Sequence, residues 1–369
     1  MTAAHQIKVF IVLPCFNEED NLIETLSTLG FSQARAELYT DVNLIIVDNN
    51  STDATYYIAN KMRDCFPYNV HLIKESEQGY VPPRHKGNLY AKDIAEKNHW
   101  SIDEVLIIQA DADTHYSQDY IIAMRNASSF WGLNTLLEAY SKFPLSFEQK
   151  YPDYIDICIK SDMALNPLFV KSKTYDVIVD DKQCAYRLGD YFRWGMHVRE
   201  FLTNGDELFA ETTRLFIKAR ETGARKVMLN NAYAEHSPRR ILETPLLQYI
   251  TAGFPREFGW KKKWLDIRID LTQFVELELH NHKLWKEASR TRTIHLIALF
   301  IISPLYINNI LRVGTNTRSN SAAEQILKLL PLIDKETLVA NPGQAIYNVL
   351  ETVEQYFNDT DDLITHLIN

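Results

Sequence analysis

Two aspartates, one residue apart, follow the apolar run Val105–Ile108 in the stretch "VLIIQADADTHY". Alternate residues of an extended chain point to the same side, so the carboxylates of Asp111 and Asp113 are expected to lie together. Like charges repel unless a cation joins them, and hard oxygen ligands suit Mg²⁺ or Mn²⁺, which are commonly shared with substrate phosphates. The pair predicts a divalent metal site for a phosphate-bearing ligand. A solvated turn with a helix cap is the alternative.

Two further charged residues stand where a ligand could meet them. Asp48 directly ends the apolar run "VNLIIVD", where its carboxylate could hydrogen-bond a nucleobase or a ribose. The alternative is a turn followed by a helix N-cap at Ser51 or Asp53. Arg84, in "GYVPPRHKG", is expected to open a helix, where a cation opposes the helix dipole. This position favours an anionic partner for Arg84, and an exposed arginine is the alternative.

The composition excludes some classes of protein. Of the 369 residues, 46% are hydrophobic and 24% are charged, which is typical of soluble globular proteins. The net charge of -9 argues against a nucleic-acid-binding surface, so an anionic ligand needs local positive charge or a metal. The four cysteines are far apart without CxxC spacing, which favours a reducing cytoplasm over disulfides or a thiolate metal site. The N-terminal sequence has no signal-peptide pattern.

Strand and helix patterns alternate through the first part of the chain. Short apolar, β-branched runs predict four strands, at 7–14, 42–48, 69–75 and 104–111, and each of the first three is followed by a helical pattern. This order predicts an α/β fold with a Rossmann-like, mostly parallel sheet and helices on both faces. Ligands of such sheets bind at the carboxyl ends of the strands, where the polar residues collect here. Beyond about residue 243 the chain is predicted to be helical.

Four motifs in order resemble one known family. "VLPCFNEEDNL", "IIVDNNSTDAT", "RHKG" and "IIQADAD" are similar, in order and spacing, to the nucleotide-sugar-binding half of family-two glycosyltransferases, which have the GT-A fold. The resemblance is strong over about residues 7–125 and weaker to about 240. Two positions depart from the family pattern: Asn49 replaces an acid and His85 replaces an asparagine.

The resemblance implies a role for each matching position. Asp48 resembles the aspartate that contacts the nucleobase, and Arg84 resembles the arginine of the same nucleotide pocket. Asp111 resembles the DxD aspartate near the ribose, and Asp113 resembles the one on the metal. Pro14 and Glu18 match the first loop, which lies over the nucleoside. A nucleotide-diphosphate sugar, most often a UDP-sugar, and Mn²⁺ or Mg²⁺ are thereby implied.

The stretch Gly205–Gly223 is predicted to be a helix and resembles the segment that carries the family's Glu-Asp pair, where a carboxylate acts as base. Counting back from Gly223 keeps Glu211 and puts Thr212 in place of the aspartate. Counting from the loop puts Asp206 and Glu207 at the helix start. Glu207 and Glu211 would share a helix face, where like charges are mildly unfavourable, which indicates a site. A solvated face with Arg214 and Lys218 is the alternative.

The loop after the next predicted strand carries further candidates. His236, in "AEHSPRR", lies where several family members place a metal-binding histidine or pyrophosphate-binding arginines, so His236 is a metal candidate. Arg239 and Arg240 are candidates to bind a diphosphate bidentately. A polar loop without a ligand is the alternative.

Three functions remain open on these residues. The first is an inverting, metal-dependent glycosyltransferase that moves a sugar from a nucleotide-diphosphate sugar to a hydroxyl of a glycan, a lipid-linked acceptor or a small molecule. The second is a nucleotidyltransferase, although "LPCFNEED" lacks the glycine-rich basic loop usual there. The third is a non-catalytic nucleotide-sugar-binding protein, because Thr212 stands where an aspartate is expected.

The predicted organisation is a GT-A domain over 1–242, with the nucleotide-sugar half at 1–130 and the acceptor half at 131–242, followed by a helical region at 243–369. The apolar run Ile294–Leu311 contains Pro304, which should kink or end a helix, and is short for a membrane span, so a buried helix is expected. The basic aromatic cluster "WKKKW" at 260–264 is compatible with peripheral contact with the inner face of a membrane. The expected location is otherwise cytoplasmic, and an oligomer is open.

Overall fold

A computed structural model describes residues 7–32, 41–163, 165–166, 176–254, 258–313 and 321–359. The chain divides into two compact units. The sheet unit comprises Met1–Phe143, Val179–Arg199 and Ala210–Ser237, and the helical unit comprises Pro144–Ile178, Glu200–Phe209 and Pro238–Asn369. The sheet unit ends close to the predicted boundary at 242, but two stretches of the predicted acceptor half belong to the helical unit.

The sheet unit is built on one eight-stranded sheet of order β3-β2-β1-β4-β7-β6-β8-β5. Its strands are β1 Lys8–Cys15, β2 Val42–Asp48, β3 Val70–Lys74, β4 Val105–Gln109, β5 Thr114–Tyr116, β6 Thr135–Lys142, β7 Cys184–Arg187 and β8 Arg225–His236. The strands β3, β2, β1 and β4 pair in parallel, as predicted, and β6 pairs in parallel with β8. Antiparallel pairs join β4 to β7, β7 to β6, and β8 to β5.

Helices cover both faces of this sheet, because alternate residues of the central strand bury against different layers. Val9, Ile11 and Leu13 of β1 pack in one core with helices α1 Leu22–Thr28, α2 Thr55–Cys65 and α4 Tyr120–Trp131. Phe10 and Val12 pack in the other core with α3 Val81–Lys97 and the helices Leu188–Arg193 and Glu211–Glu221. The predicted α/β fold with helices on both faces is confirmed.

Close packing of α3 on β1 requires a glycine. A Cβ at Gly87 would lie 2.4 Å from Val12 Cγ1, a distance that side chains do not tolerate. The helix begins with Pro82 and Pro83 in its first turn, where the missing N–H groups cost nothing. Arg84 therefore enters a helix that is fixed closely against the central strand, and this positions its guanidinium.

The helical unit contains no strand among its described residues, as predicted for the chain beyond 243. Its helices are α5 Leu145–Lys150, α6 Pro152–Met163, Arg239–Glu243, Pro245–Thr251, Phe258–Leu265, Leu271–Val275, Leu277–His280, His282–Ile297, Ser303–Leu311, Ser321–Leu329, Lys335–Ala340 and Pro342–Asp359. A π-helical turn, Ala298–Ile302, joins two of them into one long rod, His282–Leu311.

This rod, His282–Leu311, is long and apolar enough to cross a membrane by length and composition, and most of its apolar window is buried within the protein. Pro304 does not end the helix: it follows the π-helical turn Ala298–Ile302 and lies in the first turn of the segment Ser303–Leu311. In the predicted basic aromatic cluster, the side chain of Trp264 is buried and is therefore not available for contact with a membrane. The side chains of Trp260 and Lys261 lie outside the described residues.

Two predicted helix starts were wrong. Helix α2 begins at Thr55 rather than after Ser51, whose hydroxyl instead accepts a hydrogen bond from the Asn17 amide at 3.1 Å. The predicted helix Gly205–Gly223 begins only at Glu211, because Ala210 has a left-handed backbone with φ of 61°. At both helix starts a residue bonds to a distant segment, Ser51 to Asn17 and Thr212 to Asp181, and local sequence patterns do not reveal such contacts.

Candidate active site

The carboxyl ends of β1, β2 and β4 gather the predicted polar residues at one edge of the sheet. The parallel register pairs Cys15 with Asp48, and the amide of Ala110 donates to the carbonyl of Val12. Asp48 is only 4% exposed although it is charged, and its Oδ1 accepts a hydrogen bond from the Ser51 amide at 3.3 Å. A buried carboxylate at a strand end, with few protein partners, is suited to accept hydrogen bonds from a ligand.

Pro14 and Glu18 lie in the loop region that follows β1. Pro14 is half-buried at the end of β1, in register with Val47. The amide of Glu18 donates to Thr55 Oγ1 at 2.7 Å, and its carboxylate accepts from Asn21. These bonds tie the first loop to the start of α2, so the loop has a defined position beside Asp48.

The two departures from the family pattern have structural roles. The side-chain amide nitrogen of Asn49, Nδ2, donates to the backbone carbonyls of Glu75 and Glu77 and so fixes the loop after β3. An acid at this position could not make these two bonds. His85 Nδ1 lies 2.7 Å from the hydroxyl of Tyr191, within the core beneath α3.

Arg84 lies at the centre of a group of side chains that we call the Arg84 cluster (Arg84, Gln109, Asp111, Asp181 and Glu211). Its Nη2 is 2.6 Å from Asp111 Oδ1, its Nε is 2.8 Å from Glu211 Oε1, and its Nη1 donates to Gln109 at 3.2 Å. Burial opposes the charge, yet the carboxylates of Asp111, Glu211 and Asp181 together hold the pKa of Arg84 well above its ordinary value. The predicted anionic partners of Arg84 are thus carboxylates of the protein itself, and an exposed arginine is excluded.

Gln109 fixes the cluster to the sheet. Its side-chain amide donates to Asn88 and to the hydroxyl of Tyr186, while its oxygen accepts from Arg84. The amide of Asp111 donates to the hydroxyl of Tyr116, which itself donates to the carbonyl of Lys182. These bonds join the end of β4 to the segment before β7.

Asp181 was missed by the sequence analysis. Its Oδ1 accepts a hydrogen bond from the amide of Thr212, in the first turn of the helix Glu211–Glu221, at 2.8 Å. Burial and then the charge of Glu211 raise the pKa of Asp181 to about 8, against the opposite effects of Arg84 and Thr212. The signal was present in "VIVDD", an apolar run that ends in two aspartates, which has the same form as the run before Asp111.

Lys182 supplies a second cation beside the DxD pair and was also missed. Its Nζ lies 3.3 Å from Asp180 Oδ1. Burial lowers its pKa, but Asp180, Asp111 and Asp113 outweigh that effect and raise it. Lys182 and Arg84 are thus two cations among the carboxylates of this edge, which stabilise the charged form of both.

The residues predicted to bind a metal lie at one end of the pair formed by β5 and β8. Thr114, the residue after Asp113, is opposite His236 in that pair. Burial and the nearby Lys182 lower the pKa of His236 to about 4, so its ring is neutral, the form that binds metals. Its buried Nδ1 has no hydrogen-bond partner among the described residues, while Nε2 lies 3.7 Å from Asp180.

These features fit a divalent ion that the substrate helps to bind. No group of three His, Cys, Asp or Glu side chains in the described part of the chain is arranged to hold an ion by itself. Mg²⁺ and Mn²⁺ in phosphate-transferring sites need only one or two protein ligands, since phosphate oxygens and water complete the coordination. Asp113 and His236 stay the predicted protein ligands for such an ion.

Asp206 and Glu207 are not part of the helix on which the sequence analysis placed them. The amide of Leu202 donates to the carbonyl of Asp206, and Phe201 forms an antiparallel bridge with Glu207. Both acids belong to the helical unit, whereas Glu211 belongs to the sheet unit. The inferred shared helix face of Glu207 and Glu211 was therefore wrong. Arg239 begins a short helix of the helical unit, and its role with Arg240 stays a prediction.

The α/β fold and the DxD pair at the carboxyl edge of its sheet are the arrangement that the four motifs predicted for a glycosyltransferase. Comparison with known families supports this class. Residues 10–126, about a third of the chain, match the family model described as "Glycosyl transferase family 2". This match confirms the family-two resemblance inferred from the four motifs. No curated protein matches the sequence.

Many solved structures are similar, with 137 matching chains. TarS 1–349 of S. aureus is 13% identical, with coverage of 96% of this chain and 92% of that chain and a TM-score of 0.41. Mannosyltransferase PcManGT of Pyrobaculum calidifontis, solved with GDP-Man and Mn²⁺, is 15% identical, with coverage of 97% and 88% and a TM-score of 0.44. GalNAc-T7, solved with UDP, GalNAc and Mn²⁺, is 10% identical, with coverage of 80% and 58% and a TM-score of 0.43.

Proposed function

We propose that this glycosyltransferase is inverting and metal-dependent, and that it moves a sugar from a nucleotide-diphosphate sugar to an acceptor hydroxyl. The observation that carries the proposal is the DxD pair that follows β4, with Asp111 bonded to Arg84 and Asp113 preceding Thr114, the residue opposite His236. The acceptor is a glycan, a lipid-linked molecule or a small molecule.

The nucleoside is proposed to bind at the ends of β1, β2 and β4. Asp48 is buried there with one amide bond to Ser51, so it has capacity to accept hydrogen bonds from a base. Asp111 would face the ribose, and the first loop with Pro14 and Glu18 would cover the nucleoside. Uridine is the nucleoside that the family resemblance implies.

The diphosphate is proposed to lie near Asp113, His236 and Lys182. Asp113 and His236 would hold Mn²⁺ or Mg²⁺, and a bound ion there would offset the negative charge that grows on the departing diphosphate. Lys182 adds a fixed positive charge near Asp111 and Asp113. Arg84 holds the cluster in place through its bonds to Asp111 and Glu211.

Transfer requires a group that takes the proton of the acceptor hydroxyl while that oxygen attacks the anomeric carbon. The sequence analysis named Asp206, Glu207 and Glu211 for this step. Direct displacement by the acceptor inverts the anomeric centre, and the transition state has oxocarbenium character as in glycosidases.

A nucleotide-sugar screen tests the proposal. UDP-, GDP- and dTDP-sugars would be compared by thermal shift with Mn²⁺ and with chelator, and the best donor would then be tested for hydrolysis and transfer. We expect one nucleoside to stabilise the protein, and to do so more strongly with Mn²⁺. Binding without any turnover would favour the non-catalytic nucleotide-sugar-binding alternative, and no binding of any nucleotide sugar would contradict the proposal.

A further inference from the structure

The three carboxylates of the Arg84 cluster are not equivalent. Asp111 and Glu211 each form a direct ion pair with Arg84, at 2.6 Å and 2.8 Å. Among the described residues Asp181 forms no ion pair, and its carboxylate accepts one hydrogen bond, at Oδ1 from the Thr212 amide. Its Oδ2 therefore has no hydrogen-bond partner in the described part of the chain, and the residue is half-buried rather than enclosed.

Glu211 is poorly placed to meet an acceptor hydroxyl. Its side chain is 5% exposed, and Oε1 accepts from Arg84 Nε. Its carboxylate is therefore enclosed and held in an ion pair. Breaking that pair would leave a buried guanidinium with one partner fewer, which is costly.

Asp181 lies at the start of the helix Glu211–Glu221 although it comes from a different segment. The position of interest is Thr212, where the family resemblance leads one to expect a carboxylate. Thr212 offers instead a hydroxyl, which lies 3.2 Å from His197 Nε2, and an amide that Asp181 caps at 2.8 Å. The segment before β7 thus brings the carboxylate of Asp181 to position 212, where the helix has a threonine.

We propose that Asp181 is the catalytic proton acceptor of the transfer reaction, an inference that rests on the proposed function. The acceptor oxygen forms a bond to the anomeric carbon, and the bond from that carbon to the diphosphate oxygen breaks. The bonding electron pair leaves with the nucleoside diphosphate. The proton of the acceptor hydroxyl passes to Asp181 Oδ2, so that the products are the glycoside, the nucleoside diphosphate and a neutral Asp181.

The electrostatics of the cluster suit this role. Burial and the charge of Glu211 favour the protonated form of Asp181, whereas Arg84 opposes it, and the neighbouring Asp180 adds to the negative charge. The resulting pKa of about 8 makes Asp181 a stronger base than an ordinary aspartate, and its ionised form, which accepts the proton, becomes more abundant as the pH rises to that value.

The test compares Asp181→Asn with wild type in donor binding and in transfer. Asparagine keeps an oxygen for the Thr212 amide, so the helix start should be preserved. We expect turnover to fall about 10²–10⁴-fold, by the usual size of general-base effects, with an unchanged calorimetric Kd for the donor. The matched control is Asp64→Asn, which changes a 60%-exposed aspartate paired with Arg63 on α2 and should leave turnover unchanged.

Two further readouts separate a proton acceptor from a structural residue. The turnover of wild type should rise with pH up to about 8, as Asp181 ionises against Glu211 and Asp180, and this rise should disappear in Asp181→Asn. Formate should restore part of the turnover of Asp181→Ala, because a small carboxylate can replace the missing base. Formate would not repair a structural defect.

The outcomes distinguish this inference from the proposed function. If wild type neither hydrolyses nor transfers any donor sugar, the proposed function fails and this inference fails with it. If wild type is active and Asp181→Asn is equally active, only the assignment of Asp181 is overturned. A loss confined to Asp206→Asn or Glu207→Gln would also overturn it, as would an equal loss of donor binding and turnover in Asp181→Asn.

Discussion

The ion pairs of Arg84 can be tested by removing the arginine. Arg84→Met keeps the apolar stem but leaves Glu211 as a buried carboxylate, with 5% of its side chain exposed and no cation. Breaking a buried pair by removing one partner costs about 3–5 kcal/mol of unfolding free energy. We assign this cost to Glu211 and count nothing for Asp111, whose side chain is 35% exposed and can be solvated.

A second substitution tests the physical reason. Glu211→Gln in the Arg84→Met background removes the unpaired charge and leaves a neutral amide, whose unsatisfied burial costs about 1–3 kcal/mol. The double variant should therefore be more stable than Arg84→Met alone, by about 2 kcal/mol, although one more native group has been changed. Guanidinium chloride unfolding of wild type, both single variants and the double variant gives the four free energies.

The outcome that refutes the reasoning is additive destabilisation. If Arg84→Met and Glu211→Gln add within about 0.5 kcal/mol, the two side chains do not interact as the structure indicates. Arg84→Lys is the matched control, because it keeps a positive charge but cannot bond to Asp111, Gln109 and Glu211 through one planar group. It should lie between wild type and Arg84→Met.

Three of the remaining predictions concern the site, and one concerns the long apolar helix. Asp181→Asn should gain stability relative to wild type as the pH rises from about 4 to 8. Across this range the folded wild type holds a proton at Asp181 that its unfolded chain has lost, so wild type loses stability as the pH increases. Thermal unfolding of both proteins at pH 5 and pH 9 measures this change, and an equal difference in stability at the two pH values would contradict the raised pKa of Asp181. In wild type, calorimetry should show tighter binding of nucleoside diphosphate with Mn²⁺ than with chelator, and Asp113→Ala should abolish this difference. Equal affinities of wild type in the two conditions would refute the metal site. Asp48→Ala should weaken every donor that shares the preferred base, whereas unchanged donor affinity would show that Asp48 does not contact the nucleoside. Because most of the apolar window in His282–Leu311 is buried, the protein should be released from membranes by high salt and carbonate, and retention after both would show a membrane-spanning helix.

The sequence alone was sufficient for the four parallel strands β1, β2, β3 and β4 and for the binding edge at their carboxyl ends. The apolar runs that became β1, β2 and β4 are short and β-branched, and each ends abruptly in polar residues, so burial and hydrogen bonding permit little other than parallel strands in an α/β fold. Since parallel strands end at the same edge, the positions of Asp48 and Asp111 at two strand ends are enough to place them together.

Contacts between distant segments decided the rest. Arg84 and Glu211 are 127 residues apart, and Asp181 meets Thr212 across 31 residues, so no local pattern could join them. The helix begins only at Glu211, after the left-handed Ala210 and beside the bond from the Thr212 amide to Asp181, which helical periodicity cannot indicate. Periodicity reports which face of a segment is buried, whereas the charge environment of Asp181 depends on which segments pack around it, and only the tertiary structure determines that.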